Sequence, residues 1–132
     1  MTNGCFDLLH YGHVRFLQQA QSRGAALLVG INSDDSVRAL KGPSRPITPA
    51  LERAALLKAL RCVDYVVAFE QPNACALIAH YRPEVYVKGG DYLDVFDQLP
   101  EVILQRSLGG RALALGHITG RSTTQLVERI RG

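Results

Sequence analysis

Apolar runs and amphipathic segments alternate along the whole chain. Short continuous apolar runs, typical of strands covered on both faces, occupy residues 25–31, 63–69, 85–87 and 112–115. Helices are predicted between them, from apolar residues at helical spacing or from capping residues, at 14–23, 32–40, 49–60, 73–81 and 100–108. Strands that alternate with helices are typical of crossover units in a parallel sheet, so the pattern predicts an α/β fold.

Two expectations about packing follow from the same pattern. The helix at 49–60 should turn one apolar face inward, formed by Leu51, Ala54, Ala55, Leu57 and Leu60. Only residues 1–3 precede the first turn, so the first strand is expected to be short or truncated at the N-terminus. No linker or repeat divides the 132 residues, and we predict a single domain over residues 1–132.

Composition and charge narrow the classes of partner. The net charge of +3 fits an anionic small molecule, but it is too weak and dispersed to favour nucleic acid. No apolar run reaches 18 residues and no signal-peptide pattern opens the chain, so we expect no membrane association and a cytoplasmic location. The three cysteines, which have no metal-type spacing, are expected to be small buried residues of a reducing compartment: Cys5, Cys62 and Cys75.

Residues 4–13, with the sequence GCFDLLHYGH, concentrate candidate chemistry in one turn. His13 should lie in the first turn of the following helix, where free backbone N–H groups and the helix dipole favour an anion. His10 lies three residues earlier, and Gly12 permits close approach of the backbone. The pattern therefore indicates a phosphate site, with simple capping or lining of the helix start as the alternative.

Three further segments carry donors that could meet this turn. Lys88 and two glycines follow the strand at 85–87, and the loop at 41–49 carries Lys41 and Arg45. A serine–threonine–threonine turn at 122–124 begins the last predicted helix with a capping-box pattern. Ligands of open parallel sheets bind beyond the carboxyl ends of the strands, so we expect these segments to converge there. Each segment could instead be an ordinary turn, exposed loop or helix cap.

The candidate residues favour charge stabilisation over covalent chemistry. The sequence offers no nucleophile paired with a base, no zinc-type cluster and no third glycine of a dinucleotide fingerprint. Our hypothesis is in-line attack of a substrate phosphate oxygen on the α-phosphorus of a nucleoside triphosphate, with release of pyrophosphate. His10, His13 and Lys88 would stabilise the charge that develops. Mg²⁺ would be held by triphosphate oxygens and waters, and Asp7 is a candidate for orienting a histidine or those waters.

The turn at residues 2–13 resembles the signature of the nucleotidylyltransferase superfamily, in its cytidylyltransferase-like branch. The likeness extends to residues 32–34, 41–46, 63–64, 87–92 and 122–124. It implies a Rossmann-like three-layer α/β sandwich, with a five-stranded, mainly parallel sheet, helices on both faces, and a homodimer. It implies catalytic roles for His10, His13 and Lys88, and phosphate contacts of the second substrate for Lys41 and Arg45. Nucleotide contacts are implied for Asn3, Gly4, Phe6, Asp7, Gly12, Gly89, Asp91, Ser122, Thr123 and Thr124.

Within that superfamily, the chain is most similar to the adenylyltransferase domains of ADP-heptose synthesis. Their reaction joins ATP and D-glycero-β-D-manno-heptose 1-phosphate. Lys88 and the sequence of residues 117–121, which precede Ser122, favour this branch over the glycerol-3-phosphate cytidylyltransferases. Arg121 departs from the pattern of both groups, in which a small apolar residue is usual at this position. A cytidylyltransferase that acts on a polyol phosphate is the alternative enzyme. A non-catalytic nucleotide sensor is the third hypothesis, which the transition-state donors disfavour.

Overall fold

The computed structural model describes residues 1–116, and strands and helices alternate throughout this part of the chain. The strands are β1 (Thr2–Gly4), β2 (Leu28–Asn32), β3 (Tyr65–Phe69), β4 (Val85–Lys88) and β5 (Arg111–Ala114). The α-helices are α1 (Tyr11–Gln21), α2 (Asp34–Lys41), α3 (Ala50–Lys58), α4 (Cys75–Tyr81) and α5 (Pro100–Ser107). The predicted α/β class is confirmed. The predicted helix after residue 122 lies outside the described residues.

All strand pairs in the described part are parallel, but the strands form two sheets instead of one. β1, β2 and β3 form a three-stranded sheet in that order, and β4 pairs with β5. The sheets meet at β1 and β4, where the Met1 amino group donates to the Val85 carbonyl (2.8 Å) and the Val87 N–H donates to the Met1 carbonyl (2.9 Å). A continuous five-stranded sheet was predicted. β1 has three residues, and only Met1 makes these backbone bonds, so no regular ladder forms at this seam.

Two hydrophobic cores lie on opposite faces of the strands. Residues alternate between the faces of a strand, and accordingly Val85 and Val87 of β4 enter one core while Tyr86 enters the other. The first core joins α1 and α3 to β2, through residues that include Leu17, Leu57, Val29 and Ile31. The second joins α4 and α5 to the other face, through Ile78 and Val102. Helices therefore cover both faces, and the loops at the carboxyl ends of the strands are left to form a site.

The inner face of α3 differs from the predicted one. Leu51 is 84% exposed and Ala55 is also exposed, whereas Arg53 is fully buried beside Leu57. The apolar periodicity was misleading because a charged residue occupies the inward position. After β4, residues Gly90–Gln98 form a 3-10 helix that the sequence pattern did not predict.

The three cysteines are free and only partly buried, which corrects the expectation of full burial. Burial still raises the pKa of each thiol above its usual value, so the neutral thiol form is favoured. Within residues 1–116, no helix combines the length and the apolar character that a membrane span requires.

Candidate active site

The turn between β1 and α1 stacks two histidines at a helix N-terminus. His10 is the N-cap residue of α1, and His13 is its third residue, in the first turn as predicted. The two imidazole rings stack with centroids 3.8 Å apart and an interplanar angle of 23°. The backbone N–H of His10 donates to Nδ1 of His13 at 3.3 Å. This hydrogen bond fixes the tautomer of a neutral His13, because Nδ1 is the acceptor and Nε2 must carry the proton.

His13 is neutral at physiological pH. Burial, followed by the charges of His10 and Lys41, lowers the pKa of His13 from 6.5 to about 4. A hydrogen bond with the Leu8 backbone acts in the opposite direction but does not outweigh these effects. The ring is therefore a hydrogen-bond donor without a net charge. A donor of this kind can bind a phosphate oxygen near the free N–H groups of α1.

Phe6 shapes the turn that carries the histidines. Its backbone has a φ of +48°, in the left-handed region that residues other than glycine rarely adopt. Its ring lies 5.3 Å from the His13 ring, centroid to centroid, and it covers Gly4 so closely that a Cβ there would lie 3.0 Å from the ring. Gly4 and Phe6 thus form a packed base beneath His13, and a side chain at Gly4 would displace the Phe6 ring.

Asp7 anchors the loop between α2 and α3. Its buried carboxylate accepts hydrogen bonds from the backbone N–H groups of Ile47 (2.9 Å) and Thr48 (2.9 Å) and from Nε of Arg45 (2.6 Å). Burial alone would raise the pKa of this carboxyl, but the two amides and the Arg45 guanidinium outweigh it, so the pKa lies below 3.8. The predicted role of orienting a histidine or metal-bound waters is not supported, because the contacts of Asp7 are directed to the loop.

Lys88 lies at the carboxyl end of β4 and only 6% of it is exposed. Its Nζ lies 3.5 Å from the carbonyl oxygen of Asn3 and 4.4 Å from the centroid of the Tyr92 ring. Burial lowers the pKa of Lys88, while the charges of Glu101 and Cys5 act in the opposite direction. The ammonium group is therefore held in a poorly solvated position beside β1, where an added anion would gain most from it.

The predicted convergence of separate segments is found for those that the structure describes. The charge of Lys41, at the end of α2, contributes to lowering the pKa of His13 and opposes the rise in the pKa of Cys5. Cys5 in turn opposes the lowering of the pKa of Lys88. The turn after β1, the loop after α2 and the end of β4 therefore surround one region. Direct contacts in this part of the molecule join Asp7 to Arg45 and Asn3 to Lys88, and join the His13 ring to the rings of Phe6 and His10.

Two predicted segments are not placed in this arrangement. Asp91 lies in the 3-10 helix that follows β4, and its side chain is not described. Ser122, Thr123 and Thr124 lie outside the described residues. Their predicted nucleotide contacts stay predictions.

Arg53 is a site-supporting residue that sequence reasoning missed. Its guanidinium is 0% exposed and donates to the carbonyls of Cys5 (2.7 Å) and Thr48 (2.9 Å) and to the Asp34 carboxylate (2.8 Å). It thereby connects the turn, the loop and α2. Arg53 shares a helical face with Ala50 and Leu57, and an arginine on such a face was the available signal.

Curated relatives match almost the whole chain. The D-beta-D-heptose 1-phosphate adenylyltransferase of Bordetella bronchiseptica is 51% identical, over 98% of this chain and 80% of its own length. The bifunctional protein HldE of Syntrophotalea carbinolica is 50% identical over 98% of this chain, but the match covers 26% of that protein. The chain thus spans about a quarter of the bifunctional relatives it matches.

A solved structure and a family model agree with these relatives. The lipopolysaccharide core biosynthesis protein of Thermoplasma volcanium superposes with a TM-score of 0.71 at 24% identity, over 89% of this chain and 93% of that one. This likeness shows a shared Rossmann-like fold. The family model described as cytidylyltransferase-like matches residues 1–129, which include the histidine turn, the Asp7-anchored loop and Lys88. On the site geometry, the fold and these matches together, the chain belongs to the cytidylyltransferase-like family.

Proposed function

We propose that this protein is a nucleotidyltransferase that joins ATP and D-glycero-β-D-manno-heptose 1-phosphate, giving an ADP-sugar and pyrophosphate. The observation that carries the proposal is the neutral His13 stacked on His10 at the N-terminus of α1, with Lys88 delivered nearby by β4. The name of the Bordetella relative supports the choice of heptose 1-phosphate and of adenylyl transfer.

The proposed reaction is a direct displacement at phosphorus. A phosphate oxygen of the sugar phosphate attacks the α-phosphorus of ATP and forms a new P–O bond. The bond between the α-phosphorus and the oxygen that bridges to the β-phosphorus breaks, and pyrophosphate leaves with its electron pair. No proton transfer is needed, so stabilising the charge on the α- and β-phosphates is sufficient. His10, the Nε2–H of His13 and the ammonium of Lys88 supply that stabilisation.

Lys41 and Arg45 are proposed to bind the phosphate of the sugar substrate. Nε of Arg45 is bonded to Asp7, whereas the buried Nη2 has no hydrogen-bond partner among the described residues. A buried guanidinium N–H without a partner is costly, and a phosphate oxygen would satisfy it. Asp7 would fix the guanidinium for this contact.

Mg²⁺ is proposed as the metal of the reaction. The described side chains around the histidines are donors and cations, and the Asp7 carboxylate is saturated by its loop contacts. These groups fit the triphosphate rather than a bare cation, so phosphate oxygens and waters would hold the metal. When bound, Mg²⁺ neutralises charge on the leaving pyrophosphate.

The remaining contacts complete the proposal. Backbone groups at Gly4, Gly12 and Gly89 would allow the triphosphate to approach closely. Asn3, Phe6, Asp91 and the turn at 122–124 would complete the nucleotide pocket. A homodimer, implied by resemblance, stays a prediction that a sedimentation experiment would test.

Pyrophosphate release tests the substrates. ATP and CTP are each offered with heptose 1-phosphate and with glycerol 3-phosphate, and release only with ATP and heptose 1-phosphate is expected. Release only with CTP would overturn the choice of nucleotide. ATP binding without release in any combination would favour the nucleotide sensor.

A variant pair tests the histidine. His13→Ala should reduce turnover by about a hundredfold or more, because a donor to the developing charge is lost. His80→Ala is the matched control, since His80 is exposed near the end of α4. Near-normal turnover of the His13 variant would contradict the assigned role.

A further inference from the structure

A buried polar chain lies behind the nucleotide site and is not used in the displacement described above. It consists of Glu101 at the start of α5, Tyr86 in the middle of β4, and Asn3 in β1, and it ends at Lys88. The Tyr86 hydroxyl contacts the Asn3 side-chain amide and lies 3.5 Å from Oε2 of Glu101. The backbone carbonyl oxygen of Asn3, a different group from its side-chain amide, lies 3.5 Å from Nζ of Lys88. Three elements are thus connected across the seam between the two sheets.

The burial of Glu101 is unusual for an acid in the first turn of a helix. Such residues normally face solvent beside the free helix N–H groups, as the exposed Glu52 does in the first turn of α3. Glu101 is only 6% exposed, and within residues 1–116 its side-chain hydrogen-bond contact is the Tyr86 hydroxyl. A buried carboxylate with so few partners is costly, so its retention needs a compensating role.

With an ionised Glu101, the protons of this chain are all satisfied in one arrangement. The Tyr86 hydroxyl has a single hydrogen and cannot donate to both Glu101 and an Asn3 amide oxygen. If the Asn3 amide is turned so that its nitrogen faces Tyr86, then Asn3 donates to Tyr86, and Tyr86 donates to the Glu101 carboxylate. Burial, followed by the negative charge of Glu101, raises the pKa of Tyr86, which keeps this proton in place.

We infer that Glu101 and Tyr86 are positioning residues of the nucleotide site. They hold the Asn3 side chain and thereby the β1 backbone, whose Asn3 carbonyl oxygen lies against the ammonium group of Lys88. The inference rests on the proposed function. The Glu101 charge also favours the charged form of Lys88, against the burial that disfavours it. Lys88 therefore faces the triphosphate as an oriented cation, although its surroundings are poorly solvated.

The test compares two matched glutamates. Glu101→Gln removes the charge at nearly constant volume, and Glu52→Gln makes the same change at an exposed position in the first turn of α3. We expect kcat of the Glu101 variant to fall about tenfold relative to the Glu52 variant, since small displacements of positioned donors reduce rates strongly. The KM for the sugar phosphate should be unchanged, because Lys41 and Arg45 are proposed to bind it. Tyr86→Phe keeps the ring in its core and removes the hydroxyl alone, so it should reproduce the loss if the Glu101 variant fails to fold.

The pH profile distinguishes positioning from general destabilisation. The alkaline limb of kcat/KM for ATP should move to lower pH in Glu101→Gln, because a negative charge that favours protonated Lys88 has been removed. Cys5 and the Tyr92 ring also face Lys88 and are unchanged in this variant. A kcat within twofold of the Glu52 control in both variants, with no movement of that limb, would overturn the inference.

ATP affinity, measured by calorimetry in the same variants, separates this inference from the proposed reaction. We expect ATP to bind about fivefold more weakly to Glu101→Gln and Tyr86→Phe than to Glu52→Gln. If the unmodified protein bound ATP but released no pyrophosphate, the proposed reaction would fail, and this ratio of affinities would still decide the positioning role.

Discussion

At the scale of single residues, the candidate site is defined by which side chains are kept neutral and which are kept charged. His13 accepts a hydrogen bond from the backbone of His10 and stays neutral, so it donates through Nε2. Lys88 and Arg45 supply positive charge from buried positions. A triphosphate bound as proposed would therefore meet oriented donors of both kinds, in a setting where water competes weakly.

The lowered pKa of His13 predicts a pH-dependent loss of stability. Between about pH 6.5 and pH 4 the unfolded chain binds a proton at this histidine and the folded chain does not. The contribution of His13 to the free energy of unfolding should fall by up to about 3 kcal/mol as the pH decreases through this range, and it should be constant above it. Urea unfolding at a series of pH values would measure this, with His13→Gln lacking the decline.

His80→Gln is the matched control for this measurement, because His80 is exposed and the substitution should leave the decline intact. Subtracting the curves removes the contribution of other acids, which titrate alike in all three proteins. Parallel pH dependence of the original chain and the His13 variant would contradict the assigned burial of the imidazole.

At the scale of elements, the loop at 41–49 is anchored by hydrogen bonds to Asp7, which belongs to the turn after β1. The loop contributes Lys41 and Arg45 to the site, and Asp7 binds its far end through the N–H groups of Ile47 and Thr48. The histidine turn and the residues proposed to bind the substrate phosphate therefore share one anchor. A change at Asp7 should affect stability and substrate binding together.

Asp7→Asn should lower the free energy of unfolding by about 2–4 kcal/mol at pH 7, because a buried ion pair with Arg45 is broken. The KM for the sugar phosphate should rise about tenfold, since Arg45 loses its orientation. The folded pKa of Asp7 is lowered, so its contribution is present above the ordinary pKa near 4 and is lost as the pH falls through the folded value. Urea unfolding at several pH values and steady-state kinetics would measure both effects.

The matched control is Asp35→Asn, because Asp35 forms an exposed ion pair with Arg38 on α2. A change within about 0.5 kcal/mol is expected there. An Asp7 variant that resembled this control in both stability and KM would contradict the anchoring role.

The sequence was informative about elements and much less so about their polar partners. The alternation of apolar runs and helical segments identified β2 to β5 and every α-helix in the described part, because that pattern is local. β1 has no apolar run and was expected only from its place before the first turn. The Asp7–Arg45 pair joins residues 38 positions apart, and no local signal reports such a partner. The inward face of α3 was misassigned for a related reason, since Arg53 is buried only because Asp34 and two distant carbonyls receive it.

At the scale of the whole molecule, the candidate site lies where the turn after β1, the loop after α2 and the end of β4 meet. The parallel strands made the convergence of their carboxyl ends predictable from sequence. The seam between β1 and β4 was not predictable, because its bonds involve Met1 and the side chains of Thr2 and Asn3 rather than a regular ladder. Long-range polar residues such as Arg53 then determine whether the turn after β1 keeps its position against α2 and α3.

Arg53→Met is the most direct test of that arrangement. Methionine can fill much of the space, but the carbonyls of Cys5 and Thr48 and the Asp34 carboxylate lose their donor. We expect the free energy of unfolding to fall by about 3–5 kcal/mol, and kcat to fall although Arg53 contacts no proposed substrate. Arg53→Lys should be intermediate, because a single ammonium cannot reproduce three divergent bonds. Arg61→Met, at an exposed position, is the control in urea unfolding and pyrophosphate release. If Arg53→Met matched this control, the connection between turn, loop and α2 would not determine the geometry of the site.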